Sequence, residues 1–535
     1  MTQSTSPSTN GAISAARVSA LVAGFDRSPA YAGLADALVL AIGDGRIGTD
    51  VRLPSERELT DALGVSRTTV TRAYAQLRES GYAVARQGAG TFTLVPGGRA
   101  RTRDRALTPD QLAVDHPDGI DLGCAAPMAP AGLASAYADA VTELPAYLGG
   151  HGYFPTGLPH LQAAVARGFD ERGLPTDPAQ VIITPGALSG AAIVAQALAR
   201  RGDRVLVESP VYPNATLALR NAGGRLIGAP VDPEGWDLDA VGAQLRQVRP
   251  ALAYLVPDFQ NPTGHLMTDE QREEYAGHLR AAGTVAVVDE SLQALALDGQ
   301  EMPRPFAAYS PDAITIGSAS KAFWGGLRLG WVRVPPGMAE RLTRARLSLD
   351  LGTPVLEQLV LARLLASGPV LPDQLARLVE QREALLGALT EHLPSWRWVR
   401  PGGGLAVWCA LPSGSAVGLA DAAERVGVGV TPGPLFAAEG GLDRFVRIPW
   451  TRPADELVGA MPPFPYWPEE DIPRCQHNLD VTLAGQAPAS GFEMKVLRKS
   501  GERLDARFYL SPLIDGSGKQ TGWMASVTDI TEPKR

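Results

Sequence analysis

The stretch GSASKAFWGGLRLGW, residues 317–331, sets Lys321 behind two hydroxyl residues, Ser318 and Ser320, and places Arg328 seven positions on. A lysine amine can condense with an aldehyde to an imine, and hydroxyl and guanidinium donors beside it can hold an anionic group of the same ligand. An aromatic aldehyde carrying a ring nitrogen, a ring hydroxyl and a phosphate asks for four further groups: a carboxylate, a hydrogen-bond donor, an aromatic ring face and a phosphate cradle. Each has a candidate. Asp289 ends the apolar run TVAVVD, so its carboxylate would emerge at the C-terminal end of a strand, where α/β sheets bind ligands. Asn261, in FQNPTG, can donate to a ring oxygen, and Tyr212, in ESPVYP, can stack. The segment TPGALSG, with Gly186, Ala187 and Leu188, falls between a predicted strand and a predicted helix, so its backbone N–H groups can hold phosphate.

Each of these residues alone has an ordinary explanation: Asp289 as a helix cap, Asn261-Pro262 as a turn, Lys321 as a solvated lysine. Their order along the chain and the elements between them are more specific. Short apolar runs, QVIITPG, DRVLVESP, ALAYLVPD, GTVAVVDE, DAITIGSAS and RLGWVRVP, alternate with helical patterns from residue 120 onward. That alternation predicts a parallel α/β sheet buried on both faces. The set Gly186, Tyr212, Asn261, Asp289, Lys321, Arg328 at predicted strand ends resembles the fold-type-I pyridoxal-phosphate enzymes of the aspartate aminotransferase superfamily, over residues 120–461. The resemblance implies pyridoxal 5′-phosphate as cofactor. It also implies that Arg447, in RFVRIPW, grips a substrate carboxylate and that Tyr153, in GYFPTG, reaches the phosphate of a partner subunit in a homodimer. Asn261-Pro262 is a candidate cis bond. One departure stands out: where the family usually has a tyrosine two or three residues after the aspartate, VVDESLQAL has Ser291 and Leu292. This bears on transamination more than on cofactor binding.

Residues 26–95 carry a different pattern. YAGLADALVLAIGDGRI has helical apolar spacing, and LPSERELTDALGV sets a Ser55 N-cap before a short helix. SRTTVTRAYAQLRESG begins with a Ser66 cap and stops at Gly81, and YAVARQGAGTFTLV reads as two strands around a glycine turn. Helix, helix, helix, hairpin is the order of a winged helix-turn-helix. A recognition helix must present short polar and arginine side chains to base edges and phosphates, and Ser66, Arg67, Thr68, Thr69 and Arg72 do so. The string resembles the GntR family of regulators, which implies that Arg57, Arg67, Thr69 and Arg72 contact DNA and that the wing tip includes Gly88 and Gly90. A GntR-type head on an aminotransferase-like domain is the layout of the MocR regulators.

Composition sets the bounds. The chain has 535 residues, 45% hydrophobic and 20% charged, which implies several soluble domains. Net charge is −8, yet residues 1–95 hold nine arginines and no lysine against eight acids, so DNA affinity must come from a local patch. No apolar run reaches the ~18–20 residues that span a bilayer, and the polar N-terminus does not read as a signal peptide. Cys124, Cys409 and Cys475 are too scattered for a disulfide framework or a zinc site. A cytoplasmic location and no metal are therefore expected. Residues 1–25 read as a disordered tail and 96–119 as a linker rich in Pro, Gly and charge. From 462 to 535 the strand periodicity, with turns at Ser500-Gly501 and Asp515-Gly516, predicts an antiparallel three-stranded meander. It resembles the second half of a PAS domain, without the first half that would wall a pocket.

The sequence thus predicts a DNA-binding transcriptional regulator whose pyridoxal-phosphate domain senses an amine, an amino acid or the cofactor itself. A genuine aminotransferase with a DNA-binding head is the rival reading, and a PAS-linked signalling protein a third.

Overall fold

The computed structural model describes residues 12–43, 45–49, 51–86, 89–96, 120–425, 427–454, 457, 474, 477, 492–497, 503–514 and 520–529. The predicted linker 96–119, Gly88 at the wing tip and the junction after residue 457 lie almost wholly outside them. The chain divides into two units, residues 1–457 and 458–535.

The first unit opens with four helices, α1 (Ala15–Leu21), α2 (Ala30–Gly43), α3 (Glu56–Leu63) and α4 (Arg67–Glu79), followed by the hairpin β1 (Ala83–Arg86) and β2 (Gly90–Thr93). The caps are those the sequence predicts. Ser55 closes a capping box with Glu58, and Ser66 Oγ accepts from Thr69 N–H at 3.1 Å. Helix α1 corrects the expectation of a disordered tail within residues 12–25, while residues 1–11 of that expected tail lie outside the described residues. Val18 and Val22, one turn apart, are buried in the helix-turn-helix core, and Ser19 Oγ donates to Ala62 O at 3.2 Å. Two well-placed valines and a Ser14 cap suffice to seat a helix that the polar composition around them conceals.

A long sheet follows. Its strands, in chain order after the two-residue β3 (Ile120–Asp121), are β4 (Val181–Thr184), β5 (Arg204–Ser209), β6 (Arg225–Asp232), β7 (Gly235–Trp236), β8 (Leu252–Leu255), β9 (Val285–Asp289), β10 (Ile314–Ser318) and β11 (Gly330–Arg333). They lie in the order β4-β11-β10-β9-β8-β5-β6-β7. Strands β6, β5, β8, β9 and β10 run parallel. β11 does not: it pairs antiparallel with both β10 and β4, correcting the expectation of an all-parallel sheet. Between β10 and β11 there is room only for a four-residue helix and a single 3₁₀ turn, too little for a crossover, so the chain must turn back.

Alternate residues face opposite layers. Val205, Val207, Leu252, Tyr254, Val287, Ile314 and Ile316 join one apolar cluster, while Leu206, Ala253, Leu255, Ala286 and Val288 join another. Helices α5 (Leu133–Glu143), α6 (Pro145–Leu148) and α7 (Pro159–Glu171) precede β4, and of these α5 and α7 contribute to the second cluster. Helices α8 (Ala187–Leu198) and α9 (Pro213–Asn221) cover the first. The second layer is completed by α10 (Leu238–Val248) and α11 (Asp269–Ala282) and, beyond the four-residue α12 (Ala319–Ala322) and α13 (Ala339–Arg346), by α14 (Val355–Ala366) and α15 (Pro372–His392). A smaller part returns to short strands, β12 (Ala406–Ala410), β13 (Val428–Gly429), β14 (Thr431–Pro432) and β15 (Phe445–Pro449), with α16 (Ala416–Arg425) between the first two. The order β12-β15-β14 places Arg447 at the centre of this sheet.

The second unit contains β16 (Phe492–Leu497), β17 (Arg503–Ile514) and β18 (Gln520–Asp529) as an antiparallel sheet in that order, the meander the sequence predicts. Among the described residues no helix is long and apolar enough to cross a membrane, no cluster of side chains could hold a metal ion, and Cys124 and Cys409 are free.

Candidate functional site

Strands β5, β8, β9 and β10 end together, and a cavity of about 290 Å³ opens beyond them against the N-terminal turn of α8. Ala187, Leu188, Tyr212, Asn261, Asp289, Ser318, Ser320, Lys321 and Arg328 all line it, although 141 positions separate the first from the last. The parallel register accounts for this, because each strand delivers its following loop to the same sheet edge. Gly186 sits just behind the wall with φ +90°, and a Cβ there would stand 3.0 Å from Arg328 Nη2. The glycine therefore keeps the space between the α8 N-terminus and the Arg328 guanidinium open.

Lys321 lies on α12, immediately after β10. Its Nζ donates to Ala125 O at 2.8 Å. Burial is the main force on the ammonium and pulls it below its usual value, which favours the neutral, nucleophilic amine. Asp289, the last residue of β9, is held from two sides. Ser291 N–H donates to Oδ1 at 2.9 Å, and the buried Tyr254 hydroxyl donates to Oδ2 at 2.5 Å. Tyr254 was not among the residues singled out from sequence. It belongs to the buried face of β8, where a tyrosine looks like ordinary core, and only the β8–β9 pairing brings it to the carboxylate. Beneath the same edge, Glu208 is enclosed by Trp236 Nε1, Val256 N and Gln260 Nε2, and burial pushes it up to about 7 against those three hydrogen bonds.

Asn261 sits on an irregular but buried loop after β8. The Arg272 guanidinium grips that loop through Asp258 Oδ1 at 2.6 Å and Met267 O at 3.0 Å, and Gln260 donates to Pro210 O at 2.7 Å. The Asn261-Pro262 bond is cis. Arg447 stands behind Asn261 rather than in the cavity wall. Its Nη1 donates to Asn261 Oδ1 at 3.4 Å, which leaves the asparagine N–H₂ for a ligand. The guanidinium is 4.9 Å from the Phe436 ring centroid, Nε has no hydrogen-bond partner, and burial pulls the group down to about 10. Tyr153 is 65% exposed and takes no part in the cavity within one chain.

Residues 135–457 match the family of class I and II aminotransferases. The chain belongs to the class I and II aminotransferases. Residues 30–93 of the same chain match the bacterial regulatory proteins of the gntR family, so this aminotransferase-family protein has the two-part architecture of the MocR-type regulators. It is 35% identical over 308 residues to a 2-aminoadipate transaminase of Thermus thermophilus, covering 55% of this chain and 76% of that one. It is 29% identical over 397 residues to the probable rhizopine catabolism regulatory protein MocR of Rhizobium meliloti, covering 69% and 78%. Among solved structures it is similar to the α-aminoadipate aminotransferase LysN of Thermus thermophilus, complexed with N-(5′-phosphopyridoxyl)-L-leucine. That likeness has a TM-score of 0.58 and 30% identity, and covers 69% of this chain and 94% of that one.

The gntR-family head of this aminotransferase-family chain presents the residues expected of a nucleic-acid surface. Arg57, Arg67, Thr68 and Arg72 are exposed on α3 and α4, and the Arg67 side chain is 78% accessible. Ser66 Oγ, 2.8 Å from Thr69 Oγ1, also serves the helix cap. The Arg72 guanidinium lies 3.6 Å over the Tyr31 ring, and Tyr74 O–H donates to Pro54 O at 2.8 Å, fixing α4 to the entry of α3. Arg52 is an addition that the sequence did not flag. Leu53 N–H donates to Thr91 O at 2.8 Å, and this pairing sets Arg52 beside the hairpin, close to Gly90. In the sequence Arg52 is merely a charge before a serine-capped helix.

Proposed function

We propose that this chain is a DNA-binding transcriptional regulator whose aminotransferase-family pocket binds pyridoxal 5′-phosphate through Lys321 and responds to a small amine, an amino acid or the cofactor itself. The observation that carries this reading is the convergence of the Lys321 amine and the Asp289 carboxylate on one 290 Å³ cavity, in a chain whose head is of the gntR family. The residues present fit the cofactor. Ser320 Oγ is buried without a partner, and the α8 N-terminus, bare at Gly186, faces Arg328 across a space that any side chain would fill. Bound there, the cofactor would supply an electrophilic aldehyde carbon and a ring able to delocalise charge. Lys321 would be its nucleophile, Asp289 would keep the ring nitrogen protonated, Asn261 would donate to the ring oxygen, and Tyr212 would cover the ring face. Arg447 would meet an effector carboxylate, reached by displacing its weak 3.4 Å contact with Asn261. A second copy of the chain is the partner that best suits the exposed Val141, Leu148, Tyr153 and Leu351, the last of which precedes Gly352, packed against the Phe154 backbone.

The rival reading, transamination, is favoured by the same complete set of lysine, aspartate and asparagine. It is disfavoured by Ser291 and Leu292, which bring no tyrosine hydroxyl to the ring oxygen. Footprinting of the DNA upstream of this gene and its neighbours separates the two, run with wild type and Lys321→Ala, with and without cofactor and amino acids. A footprint whose extent changes with cofactor in wild type but not in the variant supports regulation. Absence of any protected DNA, together with rapid consumption of amino donors, would establish the enzyme instead.

A further inference from the structure

A second cavity, of about 380 Å³, lies on the other face of the sheet, between α7, the end of α14 and strands β9 to β11. It shares only Ser291 and Ser318 with the wall of the first cavity, so these two small side chains are all that the two chambers have in common. Most of its lining is apolar, and its floor is the Trp331 indole lying across Gly317, where a Cβ would meet the ring at 2.2 Å. Three polar features break that lining. Thr315, wholly buried, presents a hydroxyl with no hydrogen-bond partner. Ser291 Oγ is likewise buried and unpartnered. Arg172 Nη1 is 2.8 Å from Glu290 Oε2, a Coulombic contact without hydrogen-bond alignment, while its Nε and Nη2 are buried and unpartnered.

Nε and Nη2 form one edge of a guanidinium, two parallel N–H bonds at the spacing of a carboxylate's two oxygens. Buried donors left without acceptors cost free energy, and a ligand carboxylate on this edge recovers it. Charge agrees. Two arginines, Arg172 and the buried Arg333, surround a single buried carboxylate, Glu290; Glu171 is exposed at the rim. Glu290 Oε1 accepts from Phe306 N–H at 3.1 Å, and Oε2, buried without an aligned hydrogen bond, is already the counter-ion of Arg172, so an ammonium would have to compete with that guanidinium, which disfavours an amino acid.

We infer that this back chamber is a second ligand site, distinct from the Lys321 cavity, for a small apolar carboxylic acid without an amino group, its carboxylate on the Arg172 Nε–Nη2 edge and its apolar body against Trp331. The site reports to the first chamber through Ser291, whose hydroxyl faces the ligand and whose backbone N–H holds Asp289.

Calorimetric titration of the full chain with phenylacetate and isocaproate tests this. Binding is expected with a Kd on the order of 1 mM or tighter, the affinity that about ten well-buried heavy atoms provide. It persists in Arg447→Ala, which removes the guanidinium proposed to meet an effector carboxylate at the first cavity. Gly168 lines the back chamber on α7, and a Cβ there meets nothing within 4 Å, so Gly168→Leu starts from open space, is expected to occupy part of the chamber and weakens binding at least tenfold. Thr315→Val, of equal shape, weakens it several-fold. Saturable binding that Gly168→Leu leaves unchanged, or that phenylacetamide matches, overturns the inference. So does the absence of saturable binding up to about 20 mM, which is weaker than such burial allows.

Discussion

The Tyr254 hydroxyl donates to Asp289 Oδ2 at 2.5 Å, across 35 positions of sequence and between neighbouring parallel strands. Burial, with Asp289 beside it, raises the Tyr254 hydroxyl well above its usual range, so the tyrosine remains a donor at every pH the protein meets. The carboxylate therefore keeps one oxygen on Tyr254 and the other on the Ser291 backbone, and its plane is fixed before any ligand arrives.

Removing that hydroxyl should loosen the carboxylate without opening a cavity. In Tyr254→Phe the cofactor Kd, read from absorbance titration with pyridoxal phosphate, is expected to rise on the order of tenfold, the worth of one hydrogen bond to a charged group. Thermal stability should change little. Unchanged affinity would mean that the Ser291 N–H alone positions Asp289.

Glu208 makes a pH-dependent prediction. Its folded value of about 7 lies above the unfolded value near 4.5, mainly because the group is buried. Between those two pH values the folded chain holds a proton that the unfolded chain has released, so the contribution of this group to stability falls as pH rises from 4.5 through 7. Glu208→Gln cannot ionise. The difference in melting temperature, variant minus wild type, should grow from pH 5 to pH 8 by a few degrees, corresponding to at most about 3 kcal/mol. A constant offset across that range would show that Trp236, Val256 and Gln260 keep Glu208 ionised throughout.

The two arginines of α4 should fail differently. Arg67 is the first residue of the helix, its side chain exposed and held only by a 3.8 Å ion pair with Glu56, so it can reach base edges; Arg67→Ala should cost about 1–3 kcal/mol on the preferred site and relax its specificity. Arg72, one turn on and held flat on Tyr31, is placed for a phosphate, so Arg72→Ala should weaken binding to all sequences alike and lower the salt slope by about one. Electrophoretic mobility shifts over a series of salt concentrations separate these outcomes. Salt slopes and specificities equal to wild type for both variants would place the DNA-binding surface elsewhere.

Much of the site was legible in the sequence because strand ends in an α/β sheet are local events. An apolar run followed by Asp289, or by Ser318 and Lys321, says where the strand stops, and parallel strands stop at one edge whatever their order. The Ser55 and Ser66 caps were legible for the same reason, since a cap involves residues three positions apart. What the sequence could not determine depends on which strands are neighbours and which face of each strand looks where. Pairing of β8 with β9 chose Tyr254 as the partner of Asp289. The short return from β10 made β11 antiparallel and laid Trp331 over Gly317. Folding of α7 onto the far face set Arg172 beside Glu290, 118 positions away. Each of these contacts joins residues that are ordinary in their own segments, a tyrosine in a core strand or an arginine at a helix end. Their roles come from partners supplied by long-range packing, and local sequence carries no record of that packing.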